Sequence, residues 1–241
     1  MRGSAAPGHL LLPALAADDR PEIPPDEAHY LTRVCRARAG DGFEATDGAG
    51  TVATLTLESV SPARAVVQTR RVVPRASRAW VLCGAPEGDR AEWLVEKLAE
   101  LGIERWLPVD TTRAQWTSSQ ARPERWRRLA TAALRQSRGA YTLAIDSPRP
   151  LAAALAELPP GGARWLASQE GEAAGFQPAT DPEIALVGPA PGLTPEEVAA
   201  AETLGFEPVR LASARLRTET AALAWGYWWA ARTLGGGGGG S

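Results

Sequence analysis

The sequence predicts an α/β protein in two parts: a small N-terminal β-barrel and a larger domain built on a mostly parallel sheet. Before residue 74, short segments of alternating polarity are separated by glycine-containing turns. From Ala79 onward, strand-like and helix-like segments alternate, a pattern typical of parallel sheets covered by helices. The length of 241 residues suits two domains. We therefore expect domains at 1–74 and 75–234, followed by a flexible glycine-rich tail at 235–241.

The N-terminal part is predicted to begin with one helical turn at 26–34, followed by strands. Strands are expected where apolar and polar residues alternate, at 43–46, 51–57 and 66–73. One turn rich in Gly and Asp, at 38–42, precedes the first strand, and another, at 47–50, separates the first strand from the second. Several short strands with glycine turns favour a small barrel.

The second part contains six predicted strands, at 80–83, 105–109, 143–146, 165–168, 184–187 and 208–212. Helices are predicted between and after them, at 90–101, 123–137, 150–158, 194–204 and 218–234. Leu94, Leu98 and Leu101 share one face of the first of these helices, and Gly102 ends it. Ligands of open parallel sheets bind beyond the carboxyl ends of the strands, so the loops there are expected to hold the site.

Basic residues are segregated along the chain. The formal net charge is −2, which excludes a uniformly basic nucleic-acid binder. Residues 59–86 nevertheless contain five arginines and no acid, and residues 112–138 contain seven arginines and one acid. Two separate basic patches fit a polyanion-binding surface. The alternative is a compositional preference for arginine, since Lys97 is the only lysine.

The cysteine and histidine content excludes several classes of protein. Two cysteines, Cys35 and Cys83, are too few for a disulfide scaffold and favour a reducing, cytoplasmic location. With only His9 and His29, a histidine-based metal site or catalytic triad is not expected. No apolar run approaches the length of a membrane span. We therefore expect a cytoplasmic protein with neither a metal nor a membrane partner.

A Gly/Pro loop in the second part is the first candidate for a ligand site. The apolar strand at 184–187 ends at Gly188, and the loop leads to Thr194, a good N-cap. Glu197 is spaced to complete a capping box with Thr194. Such a loop lets main-chain amides approach a ligand closely. The alternative is a plain connection between a strand and a helix.

A basic loop before the last helix is the second candidate. Arg215 and Arg217 precede the helix at 218–234, for which Thr218 and Thr220 are cap candidates. Arginine offers a planar fork for phosphate or carboxylate. The alternative is that these residues only cap the helix and pair with one another.

Aromatic residues cluster on the last helix. Trp225, Trp228 and Trp229 recur at helical spacing, and Tyr227 widens the apolar surface. A helix that is apolar on nearly every side is buried, either in the core of its own domain or in a partner. We favour the second reading, so this helix is expected to form a homodimer interface.

Three segments together resemble one protein family. Residues 96–103, EKLAELGI, followed by Pro108, resemble its K-x-x-E-L-G unit. Residues 187–193, VGPAPGL, resemble its I-G-P-E-G-G loop. Residues 216–223, LRTETAAL, are close to identical to its L-R-T-E-T-A signature, and 29–34 are similar too. The family is that of the ribosomal RNA small subunit methyltransferase E enzymes, which methylate uridine N3 in 16S ribosomal RNA and belong to the SPOUT superfamily.

The resemblance spans roughly residues 26–233 and implies a fold, a cofactor and partners. It implies a PUA-like β-barrel that binds RNA, then a SPOUT methyltransferase domain with a C-terminal trefoil knot, assembled as a homodimer through the knot and the last helix. S-adenosylmethionine would lie in a pocket made by the knot loops. The residues implied to line that pocket are Leu166, Ser168, Val187, Gly188, Pro189, Gly192, Leu211, Ala212, Leu216, Thr218 and Thr220.

The reaction that the resemblance implies needs electrostatic help from the protein. Uridine N3 is a poor nucleophile until its proton is lost, so the protein must align N3 with the methyl group and stabilise the uridine anion. Arg217 is the candidate for that stabilisation. Glu219 is a candidate base, with a role at the helix N-terminus as the alternative. Ribosomal RNA is expected to contact Arg33, Arg36, Arg71, Arg125, Arg128 and Arg138.

The chain departs from the family pattern in three places, one of which is Glu87, where the family commonly has a lysine. Where the family has Glu-Gly in its loop, this chain has Ala190-Pro191, and Pro191 has no amide hydrogen. The family's Q-S/C-G-R reads Gln136-Ser-Arg-Gly139 here, which exchanges the arginine and the glycine. The alternative function is therefore a catalytically degenerate, RNA-binding dimer on the same fold.

Overall fold

The chain folds into two compact units. The computed structural model describes residues 8–75, 77–84, 86, 89–114, 121–175 and 178–235. The N-terminal unit consists of Met1–Arg75 and Thr131–Thr142, and the second unit of Ala76–Ala130 and Leu143–Ser241. The N-terminal unit thus takes in a second segment of chain that the sequence did not predict. Beyond Gly235, the predicted glycine-rich tail lies outside the described residues.

The N-terminal unit contains one four-stranded sheet. Its strands are β1 (His9–Leu11), β2 (Gly42–Thr46), β3 (Thr51–Val60) and β4 (Ala63–Val72). They pair in chain order, β1 with β2 in parallel and the other pairs antiparallel. Helix α1 (Pro25–His29) continues into one π-helical turn at Tyr30–Val34. The predicted helical turn and three strands are confirmed, while β1 was missed because three residues are too short for a recognisable alternation.

Side chains from the strands and from the apolar N-terminal run form the core of this unit. Leu10, Leu12 and Leu15 are fully buried and pack with Phe43 and Leu55 in one cluster. The alternation seen in β2 and β3 therefore has its physical cause here, since every second side chain points into that cluster.

The segment 131–142 is held in the N-terminal unit by side-chain contacts. Arg135 forms an ion pair with the buried carboxylate of Glu27. The hydroxyl of Tyr141 donates to the carbonyl of Val73 at 2.6 Å. The same ring requires a glycine opposite it, because a Cβ on Gly50, whose φ is 113°, would stand 2.6 Å from the Tyr141 oxygen.

The second unit is built on a parallel sheet. Its strands are β5 (Ala79–Cys83), β6 (Arg105–Asp110), β7 (Ala144–Ile145), β8 (Arg149–Pro150), β9 (Ala163–Ala173), β10 (Glu183–Val187) and β11 (Phe206–Arg210). The order is β11-β9-β10-β5-β6-β7, with β8 paired to β6, and all these pairs are parallel. The predicted parallel sheet is confirmed.

Helices connect the strands of this sheet. They are α2 (Asp89–Glu100), α3 (Pro123–Ser137), α4 (Leu151–Ala156), α5 (Pro195–Thr203) and α6 (Thr218–Gly235), and the last turns of α3 belong to the N-terminal unit. Each was predicted to within two residues at both ends. No helix among the described residues is long and apolar enough to cross a membrane.

The tryptophans of α6 are buried in their own unit. Trp225 is fully buried, and Trp228 and Trp229 are 9% and 5% exposed. The expectation that these rings face a partner is therefore wrong, because α6 packs against α2, β5 and β10 of the same chain. Helical spacing showed that the rings are buried, but it could not show which surface covers them.

A buried ion pair joins α6 to the start of β10. The side chains of Arg232 and Glu183 are 2% and 0% exposed and form a salt bridge. Glu183 also accepts hydrogen bonds from the indole of Trp165 at 3.0 Å and from the amide of Thr180 at 2.7 Å. The Arg232 guanidinium lies over the ring of Trp228, 3.7 Å from its centroid. The carboxylate is thus satisfied from several directions, as a buried charge must be.

Candidate functional site

Strand β9 leaves its ladder beside β11. Pro208 pairs with Leu166, but the next residue of β11, Val209, pairs with Glu172. Residues 167–171 lie between those two pairs and project from the sheet. The strand was predicted to end at Ser168, and the observed strand runs to Ala173, because the return to β11 could not be read from local polarity.

A cavity of about 660 Å³ opens where β9, β10 and β11 end. The projecting residues of β9 form one wall, the Gly/Pro loop at 188–193 forms the second, and the segment at 211–218 forms the third. All three walls follow or interrupt parallel strands at the carboxyl-end edge, where the topology of an open α/β sheet places ligand sites. The loops that were expected to hold the site thus border this cavity, and their binding of a ligand stays a prediction.

The Gly/Pro loop is a tight turn followed by a capped helix. The amide of Gly192, whose φ is 82°, donates to the carbonyl of Pro189 at 2.7 Å. Thr194 and Glu197 form the predicted capping box in full, each side chain accepting from the other residue's amide. Gly188 packs closely on Leu193, since an added Cβ would lie 3.1 Å from the Leu193 Cγ. The loop is therefore closed at both ends by local contacts.

Side chains tie the three walls together. The guanidinium of Arg215 donates to the carbonyl of Ala190, which links the third wall to the second. The amide of Gln169 donates to the carbonyl of Ala214 at 3.1 Å, which links the first wall to the third. Thr218 does not use its hydroxyl as a cap: it donates to the carbonyl of Gly188 at 3.0 Å and fixes the start of α6 to the Gly/Pro loop.

Most residues that the family resemblance implied for the pocket line this cavity. The lining includes Leu166, Ser168, Val187, Gly188, Pro189, Gly192, Leu211, Ala212, Leu216 and Thr218. Thr220 is exposed and does not line it. Pro191 does not line it either, so the family departure with the missing amide hydrogen falls outside the cavity wall.

Two acidic residues of the lining were missed. Glu170 lies on the projecting part of β9 and Glu202 on α5, and both are exposed at the cavity. Among the described residues of the lining, Arg215 is the one basic side chain. The sequence gives no local signal for the carboxylates, because each looks like an ordinary surface charge until the strand order brings β9 beside α5 and β11.

The two candidate catalytic residues stand outside the cavity lining. Arg217 is exposed, between the lining residues Leu216 and Thr218. Glu219 is 7% exposed, and its carboxylate lies 3.8 Å from the guanidinium of Arg90 on α2. Its surroundings are thus those of a side chain that joins two helices. Their catalytic roles stay predictions.

The buried thiol near Glu219 has no nucleophilic character. Burial, with a smaller contribution from the carboxylate of Glu219, raises the pKa of Cys83 to about 12, although the neighbouring indole of Trp106 acts in the opposite direction. A thiol with such a pKa is protonated at neutral pH, and nucleophilic cysteines react as thiolates. The described residues also contain no group of histidines, cysteines and carboxylates that could hold a metal ion.

The candidate RNA-binding arginines are all exposed. Arg33, Arg36, Arg71 and Arg138 lie in the N-terminal unit, and Arg125 and Arg128 lie on α3 in the second unit. Two of them have acidic neighbours. Arg138 contacts Glu44 at 3.3 Å, and Arg125 donates to Glu92 at 2.7 Å, which lowers the pKa of Glu92. Such surface pairs are weak, so they leave both arginines available to phosphate.

Comparison with known proteins identifies the chain's relatives. A model described as an RNA methyltransferase domain matches residues 74–229, and one described as an RNA methyltransferase PUA domain matches residues 23–69. The ribosomal RNA small subunit methyltransferase E of Mycobacterium bovis is 30% identical over 213 residues, which cover 82% of this chain and 80% of that protein. The chain belongs to this family. The Synechocystis member of the methyltransferase E family is 29% identical over 208 residues, covering 81% of this chain and 67% of its own.

Solved structures share the fold of this chain. A probable rRNA methyltransferase from Porphyromonas gingivalis aligns with a TM-score of 0.81 at 27% identity, covering 94% of this chain and 98% of its own. The methyltransferase E from Neisseria gonorrhoeae, solved bound to S-adenosyl methionine, aligns with a TM-score of 0.82 at 24% identity, covering 94% and 97%. The predicted PUA-like domain and methyltransferase fold are confirmed, while the trefoil knot stays a prediction.

Proposed function

We propose that this chain methylates uridine N3 in 16S ribosomal RNA with S-adenosylmethionine as the methyl donor. The observation that carries the proposal is the cavity beyond β9, β10 and β11, which gathers almost every residue that the family resemblance implies for the donor pocket. Membership of the methyltransferase E family supports the same reaction.

The cavity fits such a donor in size and in chemistry. Its volume of about 660 Å³ lies inside the range of roughly 300–1,000 Å³ that is usual for small-molecule sites. Leu166, Leu211 and Leu216 offer apolar walls for an adenine ring. Glu170 offers a partner for an ammonium group, and Arg215 offers one for a carboxylate. When bound, the donor supplies a methyl group that its sulfonium already activates.

The residues of this chain would orient the acceptor and stabilise its charge. Arg217 is exposed beside two lining residues, so a base that approaches the cavity meets its guanidinium. A fixed positive charge there favours the N3 anion of uridine over the neutral base. We assign this role to Arg217. For Glu219 we favour the positioning of the first turn of α6 through its contact with Arg90 over direct proton transfer, and the N3 proton then passes to solvent water.

We propose that the PUA-like unit and α3 bind the ribosomal RNA. Three exposed arginines of the N-terminal unit support this proposal: Arg33 and Arg36 lie within the region that matches the PUA model, and Arg71 lies on β4 just after it. Phosphate contacts of this kind make binding salt-dependent, so affinity should fall steeply as salt is raised. Ribosomal RNA is cytoplasmic in bacteria, and we propose that location for the chain.

We also propose that the protein is a homodimer through α6 and its neighbour α2. Tyr227 and Leu234 on α6 are 69% and 86% exposed, and Trp93 on α2 is 46% exposed. Large apolar side chains that remain exposed on two packed helices favour a second copy as their cover. Light scattering should give the mass of two chains, and Tyr227→Glu should give one. A monomeric native protein would contradict this.

The test of the proposed reaction is transfer of labelled methyl groups. Purified protein is incubated with labelled S-adenosylmethionine and unmethylated small-subunit RNA, as free RNA and as assembled subunits. Label in the RNA with either substrate supports the proposal, and its absence with both contradicts it. Large-subunit RNA is the matched control and should stay unlabelled.

The alternative is a degenerate dimer that binds RNA without a methyl donor. One observation favours it: Ala190, which stands where the family has glutamate, lines the cavity, so the wall lacks that carboxylate. Calorimetry separates the two functions. Heat on titration with S-adenosylmethionine supports the enzyme, whereas no heat together with retained RNA binding supports the alternative.

A further inference from the structure

The exit of strand β6 is bonded to the helix that follows the Gly/Pro loop. The amide and hydroxyl of Thr112 both donate to Oε1 of Glu197, at 2.7 and 3.0 Å. The next residue, Arg113, donates from Nη1 to the carbonyl of Leu193 at 3.0 Å. Two adjacent residues of the β6 exit thus hold the last residue of the loop and the first turn of α5.

Glu197 shares its carboxylate between this contact and the helix cap. Oε2 accepts from the amide of Thr194 at 2.8 Å, while the hydroxyl of Thr194 accepts from the amide of Glu197 at 3.2 Å. One oxygen therefore serves the cap, and the other serves the β6 exit. Hydrogen bonds to an ionised carboxylate are the stronger kind.

This connection crosses a strand. In the sheet, β5 lies between β10, which leads into the Gly/Pro loop, and β6, which leads into Thr112. No ladder among the described strands joins β6 to β10, so these side chains fix the loop relative to a strand that is not its neighbour. The capping box alone would fix only the loop's end to its own helix.

We infer that Glu197, together with Thr112 and Arg113, positions the Gly/Pro loop and thereby sets the affinity of the cavity for its ligand. None of the three lines the cavity, so each acts through the loop and is a positioning residue. The effect of these contacts reaches the cavity through Leu193 and Gly188, because both residues line the cavity and pack against each other. The nature of the ligand rests on the proposed function, but the positioning of the loop does not.

The first test measures the loop without any ligand. Glu197→Gln keeps size and shape but turns one acceptor oxygen into a donor, so either Thr112 or Thr194 loses its partner. Hydrogen exchange at the amides of Gly188, Ala190, Gly192 and Leu193 should become about tenfold faster, because local opening becomes easier. Glu207→Gln, an exposed carboxylate on β11, is the matched control and should leave exchange unchanged.

The second test measures the ligand. Thr112→Val removes the hydroxyl donor and keeps the amide, whereas Thr112→Ser keeps both. The valine variant should raise Kd and KM for S-adenosylmethionine roughly fivefold, the order expected for the net contribution of one hydrogen bond at an exposed site. Its kcat at saturating donor should stay within about twofold, and the serine variant should match the native protein. A merely structural role would lower kcat and the unfolding temperature without this split.

Each outcome has a distinct meaning. Unchanged exchange at the loop in Glu197→Gln overturns the inference, whatever happens to binding. Faster exchange with an unchanged Kd in Thr112→Val overturns the link to affinity. If the native protein binds no S-adenosylmethionine, the proposed function fails, and faster exchange in Glu197→Gln still supports the positioning of the loop.

Discussion

The main chain of Gly171 lies directly against the main chain of Pro208. A Cβ added to Gly171 would stand 2.6 Å from the carbonyl carbon and oxygen of Pro208 and from the amide nitrogen of Val209. This contact is where β9 returns to β11 after its excursion at 167–171. The first wall of the cavity therefore depends on a residue without a side chain.

Gly171→Ala should damage both stability and the cavity. Because the obstructing atoms are main chain, the strands must separate, and we expect a loss of about 1–3 kcal/mol in the free energy of unfolding. Binding of S-adenosylmethionine should weaken as well, since the displaced residues line the cavity. Urea unfolding and calorimetry measure the two effects. Gly175→Ala is the control, because its Cβ would meet nothing within 4 Å; equal stability of the two variants would contradict the role of Gly171.

Glu183→Gln should be strongly destabilising. It would remove the carboxylate that pairs with the Arg232 guanidinium, whose side chain is 2% exposed, and breaking a buried pair in this way costs about 3–5 kcal/mol. The control is Glu100→Gln, which breaks the exposed pair with Lys97 and should cost less than about 1 kcal/mol. Urea unfolding of both variants checks the difference. Similar losses in the two would show that the buried network does not stabilise α6.

Arg217→Ala should abolish most methyl transfer and leave assembly intact. The side chain is exposed, so its loss should not disturb the fold, while loss of charge stabilisation at a reacting centre lowers kcat by roughly 100-fold. Arg210→Ala, at an exposed position on β11, serves as the control. Single-turnover methyl transfer and light scattering give the two readouts. Unchanged transfer would remove Arg217 from the mechanism.

Acid should destabilise the fold partly through His9. Burial lowers the pKa of His9 below 6.5, and Arg138 adds to the lowering, while the carbonyl of Gly139 and the carboxylates of Glu44 and Glu27 oppose it. The unfolded state therefore binds the proton first as the pH falls. The contribution of neutral His9 to stability is fully present above pH 6.5. It declines as the pH falls from there through the lower pKa that His9 has in the folded protein.

A variant isolates this histidine contribution. His9→Gln keeps a donor for the Gly139 carbonyl, which accepts from Nε2 of His9 at 3.0 Å, but it has no titrating group. The urea midpoint of the native protein should fall more between about pH 7.5 and pH 5.5 than that of the variant, because only the native side chain titrates there. Parallel curves would contradict the assignment.

Local features of this fold were predictable and long-range ones were not. The capping box of Thr194 and Glu197 lies within four residues, so spacing alone predicts it. The second use of Glu197, by Thr112, joins residues 85 apart in the chain and depends on strand order. The excursion of β9 has the same origin, because only its pairing with β11 defines it. The tryptophans of α6 are a second example. Their spacing predicts that the rings are buried, but it does not predict which surface covers them.

The family signatures predicted long-range proximity that the polarity patterns could not predict. The resemblance assigns the segments around Gly188 and Leu216 to one pocket although these two residues lie 28 positions apart in the chain. Both residues line the observed cavity. The residues that hold those segments in place, among them Gln169, Arg215 and Thr112, carry no signature. They bond through main-chain carbonyls or shared carboxylates, which sequence patterns do not reveal.

The central claim is methylation of a uridine at N3 in small-subunit ribosomal RNA, and nucleoside mass spectrometry tests it most directly. RNA from small subunits lacking this modification is incubated with the protein and S-adenosylmethionine, digested to nucleosides and compared with a reaction containing Arg217→Ala. We predict N3-methyluridine with the native protein and almost none with the variant. Absence of N3-methyluridine from the native reaction, or methylation at a different atom, would contradict the account.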